Sequence, residues 1–306
     1  MIQNTSEQDI RTGIWYALAA YGLWGLAPVY FKWLDGVAAT EILIHRVIWS
    51  VAVLVVLLAV MGSWSAIRTV FRQPKVLAGL TLSAAIISIN WLTFIWAVGQ
   101  GRILESSLGY FMNPLVSIFL GMIFLSERLR PWQWLAIFLA GAGVAWQLIL
   151  HGSLPWVALV LAFSFGFYGL LRKQIPVDAI SGLFIETVIM FPAAIIWLLW
   201  LLDSQQLSFG HTDLETDLLL MAAGLVTSIP LLFFAGAARR LSLTLVGFIQ
   251  YMAPSITFLL AVLVYGEDLG EGKLATFVLI WLALLVFTME GAIQKRRRNR
   301  LAQSSC

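Results

Sequence analysis

Apolar runs of about 20 residues recur along nearly the whole chain, separated by short polar connections, and no other feature restricts its fold as much. A helix of that length rises far enough to cross the ~30 Å hydrocarbon core of a bilayer. Within lipid the backbone must satisfy its own polar groups, so a spanning chain folds as helices or as a closed barrel. A barrel would show alternating segments of about 10 residues, and the sequence has none. Composition agrees: 60% of the 306 residues are hydrophobic and 11% are charged, against about 25% charged in soluble domains. The chain is therefore expected to be an all-α polytopic membrane protein.

Ten spans are predicted, at 13–32, 42–61, 76–98, 104–125, 132–150, 155–172, 179–202, 216–237, 243–265 and 273–293. The connections hold most of the Gly, Pro and charged residues, and the longest is DSQQLSFGHTDLE, Asp203 to Glu215. The first apolar run follows a polar stretch, MIQNTSEQDIRT, and lacks a small-residue cleavage site, so it reads as a retained helix. Lysine and arginine test the count. If the N-terminal tail is cytoplasmic, that side holds Arg11, Arg68, Arg72, Lys75, Arg128, Arg130, Arg172, Lys173, Arg239, Arg240 and the tail run Lys295 to Arg300. The outer side keeps only Lys32, Arg102 and Lys273, and Arg46 lies within a span. This is the positive-inside pattern for ten helices with both ends in the cytoplasm. The basic tail KRRRNR then reads as an anchor to anionic headgroups and not as a nucleic-acid patch. The single cysteine, Cys306, excludes a disulfide framework and a cysteine metal site.

The chain also repeats itself. GYFMNPLVSIFLGMIFLSERL lies over QYMAPSITFLLAVLVYGEDL, with Pro114 and Glu127 spaced 13 apart, as are Pro254 and Glu267. WYALAAYGLWGLAPVYFK lies over WVALVLAFSFGFYGLLRK, pairing Gly25 with Gly166 and Lys32 with Lys173; His45 then falls on Glu186. The expected organisation is a tail at 1–12, a five-helix repeat at 13–150, a second at 155–293 and a basic tail at 294–306. Five is odd, so the second repeat enters the membrane from the opposite side. Inverted repeats are characteristic of secondary transporters, whose substrate sites lie near the midplane between the halves.

These halves resemble the EamA repeat of the drug/metabolite transporter superfamily over essentially the whole chain. More narrowly, EILIHRVIWS, NWLTFIWAV, SLGYFMNPLVSIFLGMIFLSERL and LAFSFGFYGLLRK are similar to the RarD subgroup of chloramphenicol-sensitivity proteins. The resemblance implies ten helices, a bacterial inner-membrane location and transport without ATP. It does not imply a substrate.

Ionisable residues within spans are expensive and mark functional positions by default. His45 and Arg46 lie about 6–8 Å below Glu41 in the second span, and neighbouring helical positions diverge by about 100°, so they do not share one face. Each has a bland alternative: Arg46 reaching the outer headgroups, and His45 as a packing residue. Glu186 lies roughly 10 Å into the seventh span, with no residue of opposite charge near it in that span. Such a carboxyl suits proton coupling, against the alternative of a structural hydrogen bond. Asn90, Asn113, Gln250 and Tyr251 are further polar candidates for binding or gating. Asparagine within a span also serves as a helix-to-helix hydrogen bond. Pro114 and Pro254 free the carbonyls of Tyr110 and Gln250 and are candidate hinges. Trp49, Trp91, Trp96 and Tyr110 lie deep enough to line an apolar cavity. Glu127 and Glu267 read as solvated span ends, and Arg102 with Glu105 as an outer i,i+3 pair.

No Walker A sequence, metal-ligand spacing or nucleophile elbow occurs. No enzyme, cofactor or metal is expected. The partners expected are the bilayer, a small molecule and, through Glu186 and His45, protons; oligomeric state, direction of transport and coupling are left open by the residues.

Overall fold

A computed structural model describes residues 7–34, 36–62, 64–100, 103–151, 155–265 and 273–304, and they are helical almost throughout. The helices are α1 (Glu7–Trp33), α2 (Ala39–Met61), α3 (Trp64–Phe71), α4 (Pro74–Gly99), α5 (Ile103–Leu125), α6 (Pro131–His151), α7 (Trp156–Gln174), α8 (Ala179–Asp203), α9 (Leu214–Arg240), α10 (Leu243–Gln250), α11 (Met252–Leu259) and α12 (Lys273–Ser304). Among the described residues, nine segments are long and apolar enough to cross a membrane, and Gly109–Leu125 of α5 is a shorter apolar stretch of the same kind. With α5 the chain makes ten passages, as the sequence predicts. An even number returns it to its starting side, the terminal face; the other side is the distal face.

Three features differ from the predicted spans. The first and tenth helices run past the apolar core into polar sequence, at Glu7 and at Ser304. The short helix α3, unforeseen, follows Gly62, whose φ of 63° lets α2 end and the chain turn sharply. Ile67 and Val70 of α3 pack into a cluster with Leu58, Leu80 and Ile185 at the terminal face. The ninth passage is not one helix. It stops at Tyr251, resumes as α11 and ends in a π-helical turn, Leu260–Val264. Pro254 lacks the N–H that the Gln250 carbonyl would otherwise accept. Its counterpart Pro114 has less effect, since α5 continues through it.

The repeat is visible in the packing. A Cβ on Gly25 would meet the side chain of Ile256, and one on Gly166 would meet Val116. Positions 256 and 116 are counterparts, as are 25 and 166, so the same glycine seats α1 on α11 and α7 on α5. The halves do not form separate blocks. α1 packs on α9 and α11, α2 on α8 and α9, α4 and α5 on α7, and α6 pairs with α12. The closest approach is between α2 and α9. A Cβ on Gly224 would overlap the backbone of Trp49, and Ser50 Oγ donates to the Gly224 carbonyl at 3.3 Å.

Gly224→Ala is expected to force α2 and α9 apart at a cost of about 1–3 kcal/mol. Gly141→Ala, where an added Cβ meets nothing, gains helix propensity instead. Thermal unfolding of both variants in one detergent, followed by circular dichroism, should show a lowered midpoint for Gly224→Ala alone.

Candidate functional site

Seven residues into α2, about 10 Å from its distal end, Arg46 turns toward α9 and α4. Its Nε donates to Thr227 Oγ1 at 2.9 Å, and its guanidinium lies over the Trp91 ring, 4.9 Å from the centroid. Trp91 and Tyr110 are eight and seven residues from the distal ends of α4 and α5, so all three share one level. The Arg46 charge reaches the hydroxyls of Tyr110 and Tyr30. Tyr110 is 46% exposed, and its ring lies 6.1 Å from that of Phe94. The result is a cluster of aromatic rings around one cation. Among the described residues no carboxylate comes within ion-pair distance of Arg46, and of its five N–H groups only the Nε–H donates to the protein.

His45 faces elsewhere, as the 100° divergence predicts. It is 3% exposed, accepts from Trp49 Nε1 at Nδ1 (3.1 Å) and lies against Phe209, ring centroids 4.7 Å apart. Phe209 belongs to the α8–α9 connection, which is held by Glu41: the backbone N–H groups of Ser208 and Phe209 both donate to its Oε1, at 2.8 and 2.9 Å. Glu41, His45 and Trp49 therefore anchor a strap across the distal end of α2. Sequence reasoning missed Glu41, although an acidic residue opening a span beside a long loop was a signal.

Asn90 and Asn113 converge on one stretch of α7. Asn90 Nδ2 donates to the Leu161 carbonyl at 3.0 Å and to Ser164 Oγ at 2.8 Å. Asn113 donates to the carbonyls of Ala162 and Leu161, at 2.9 and 3.2 Å. Both bind helix to helix. Gln250 is buried with its Oε1 unpaired, and Tyr251 is buried with Phe248, Ile280 and Ala283 on the α6–α12 side, away from Arg46. The Pro114 carbonyl sits against Gly247 of α10, and Pro254 follows the break at Tyr251. Trp96 packs on Trp156 at 5.1 Å.

Glu186 departs from expectation. It has a cationic partner: Arg172 of α7, with Nη1 3.5 Å from Oε1, and both side chains are fully buried. The Tyr168 hydroxyl donates to Oε2 at 3.4 Å, and the Ser83 hydroxyl of α4 faces the same carboxylate. Arg172 thus does not belong to the solvated cytoplasmic set in which its sequence position places it. A carboxylate looks isolated when only its own helix is read; the neighbouring helix supplies the charge.

Above this pair is a plug of rings that sequence reasoning also missed: Tyr21 and Trp24 of α1, Phe165 and Tyr168 of α7, and Phe234 of α9. Centroids lie 5.7 Å apart for Trp24–Phe165, 5.2 Å for Phe165–Phe234 and 5.8 Å for Tyr168–Phe234. Trp24 and Phe165 are counterparts in the repeat alignment, so the molecule's pseudo-twofold relation passes between them. Two aromatics matched in that alignment were the available signal.

The terminal face is further tied. Glu127 is no solvated end: it caps α10, accepting from the N–H groups of Leu243 and Thr244 and from Thr244 Oγ1 at 2.7, 2.9 and 2.6 Å. Lys173 donates to the Ala238 and Leu241 carbonyls at the end of α9. Its counterpart Lys32 lies over the Tyr265 ring at 3.5 Å. Glu267, Arg102 and Cys306, and the side chains of Glu105 and the Lys295–Arg300 run, lie outside the described residues. No group of His, Cys, Asp and Glu among the described residues would hold a metal ion.

Residues 11–149 and 154–289 each match the EamA-like transporter family. Protein RarD of Salmonella typhimurium is 52% identical over 95% of this chain and 99% of its own. An uncharacterized transporter of Vibrio cholerae is 49% identical over 95% and 96%. A crystal structure, 18% identical, superposes with a TM-score of 0.69 over 90% of this chain and 97% of the other, a likeness of fold alone.

Removing one partner of a buried ion pair leaves the other uncompensated, at about 3–5 kcal/mol. Arg172→Met is therefore expected to lower the unfolding midpoint sharply. The double variant Arg172→Met/Glu186→Leu should recover most of that loss, since replacing both charges is often neutral. Thermal melts of the two variants against wild type provide the check.

Proposed function

The chain belongs to the EamA-like transporter family, and we propose that it is a secondary transporter exporting a small metabolite or drug-like molecule across the bacterial inner membrane by alternating access. The observation that carries this reading is the placement of two polar constellations at matched depths in inverted halves, with the aromatic plug between them. The Arg46 group lies on the distal side of the plug and the Arg172–Glu186 pair on the terminal side. The lysine and arginine asymmetry supports a cytoplasmic terminal face.

Substrate binds in the space walled by Arg46, Trp91 and Tyr110. The plug and the ion pair behind it close the route to the cytoplasm. For cytoplasmic access the rings of Trp24, Phe165 and Phe234 part, and α7 and α8 separate enough to wet the Arg172–Glu186 pair. Inverted repeats give the second state at little extra cost, because each half adopts the packing of the other.

Coupling turns on Glu186. A carboxylate neutralised by arginine needs no proton, and this pairing favours an uncoupled carrier as the second reading. In the proton-coupled reading a proton replaces Arg172 on Glu186 and releases the gate. Both follow from the same geometry and differ in one measurement. Flux in proteoliposomes with and without a pH gradient should fall in Glu186→Gln and lose its gradient dependence if protons act there. Unchanged flux by this variant across pH removes Glu186 from the mechanism.

Access itself is testable without a substrate. In a Cys306→Ser background, Tyr110→Cys is expected to react with a membrane-impermeant maleimide added outside, and Phe234→Cys to be protected from it. Adding Glu186→Gln should expose position 234 to reagent from the cytoplasmic side. Protection of position 234 from both sides in every variant would rule out a gate at the plug.

A further inference from the structure

An arginine within a membrane span is normally matched by a carboxylate or turned to a water-filled space, because an uncompensated charge in lipid is costly. This molecule follows the rule at Arg172, which is fully buried and lies beside Glu186. Arg46 has no such carboxylate among the described residues. Its hydrogen bond goes to a neutral hydroxyl, that of Thr227, and its flat face rests on Trp91. Among the described residues, the groups in reach of its charge are two tyrosines, Tyr30 and Tyr110. The Nε–H is fixed by Thr227, and among the described residues the two amino groups have no hydrogen-bond partner in the protein, so the fork is left for a ligand. A planar fork held this way matches the two oxygens of a carboxylate.

We propose that Arg46 is the recognition residue for a small organic monoanion, a carboxylate with an apolar or aromatic body. The inference rests on the transport route proposed above and names the class of molecule that takes it. The carboxylate receives the two amino groups of Arg46, and the body lies among Trp91, Phe94 and Tyr110. One positive charge, with no second cation beside it among the described residues, suits one negative charge. A phosphate ester, carrying nearly two, would remain half-compensated.

The competing source of an anion is lipid, since Arg46 lies only about 10 Å from the distal end of α2. The surroundings argue for a soluble molecule: Thr227 of α9 holds Nε and the Trp91 ring of α4 lies 4.9 Å from the guanidinium carbon, so the group is engaged between helices and not extended along α2 toward the headgroups.

The test uses the full chain in phosphatidylcholine nanodiscs, with phenylacetate, phenylacetamide, phenethylamine and phenyl phosphate as probes. Tryptophan fluorescence and the shift in unfolding midpoint read binding. Phenylacetate is expected to bind, and the isosteric amide and the amine roughly 10–100-fold more weakly, as loss of a charge-assisted hydrogen-bonded pair implies. Arg46→Gln should abolish the preference for the anion, Arg46→Lys should weaken it, and Thr227→Val should weaken it while keeping the charge. Because Arg46→Gln could misfold, the wild-type ratio of acid to amide stands as an independent readout. Equal binding of acid and amide by wild type, tighter binding of phenyl phosphate, or no anion binding that depends on Arg46 overturns the assignment. Loss of the phenylacetate signal on adding phosphatidylglycerol to the disc, with Arg46→Gln insensitive to that lipid, makes the anion a lipid and also overturns it. Phenylacetate binding without flux in proteoliposomes leaves this assignment standing and removes the transport reading. Flux of neutral compounds indifferent to Arg46 does the reverse.

Discussion

Lipid offers no hydrogen bonds, and each polar group inside the bilayer must find its partner in another helix or in its own. That constraint organises the molecule more than hydrophobicity does, since lipid tails are as apolar as the helix surfaces facing them. The contacts that locate one helix against the next are accordingly small residues and single polar side chains. Asn90 and Asn113 grip α7, Glu127 caps α10, Lys173 closes the end of α9 and Glu41 holds the α8–α9 strap. Glycines at 25, 166 and 224 set how near the backbones come.

The two halves divide their likeness by role. Positions that set packing agree: Gly25 with Gly166, and Trp24 with Phe165. Several polar positions within the spans diverge: His45 against Glu186, Arg46 against Thr187, Tyr110 against Gln250. Even the matched prolines act differently, one inside a continuous helix and one beside a break. A scaffold duplicated with inversion needs its backbone contacts twice, whereas a molecule lacking symmetry needs only one binding surface. The divergence of His45 and Glu186 also explains why they do not pair: each is placed near its own face.

Much of this was legible in the residues. Ten passages, the inverted repeat and the depth of Arg46 follow from run length, spacing and parity, which are properties of one chain read in order. The partners did not follow. Glu186 looked isolated because Arg172 sits on another helix, at the last residue of the predicted span 155–172, where it counts with the cytoplasmic cations. Glu127 looked solvated because the N-terminus of α10, 116 residues later, is what it caps. The break at Tyr251 was half legible: Pro254 marks the region, yet Pro114 in the same motif position leaves α5 whole, so proline alone does not decide it. Of the candidate residues, Arg46, Trp91 and Tyr110 come together. Asn90 and Asn113 have structural partners, and Tyr251 faces the opposite side.

The interlocking of the halves bears on how the chain assembles during synthesis. α1 packs most extensively on α9 and α11, which belong to the other half. It ends at Trp33, and α11 begins at Met252, so at about 5–20 residues per second the last of those partners emerges roughly 10–45 s after α1. Throughout that interval the glycine face at Gly25 stays against lipid. The first half therefore cannot complete its fold before the second has been inserted, and the nascent helices wait in the bilayer as loose, separable rods.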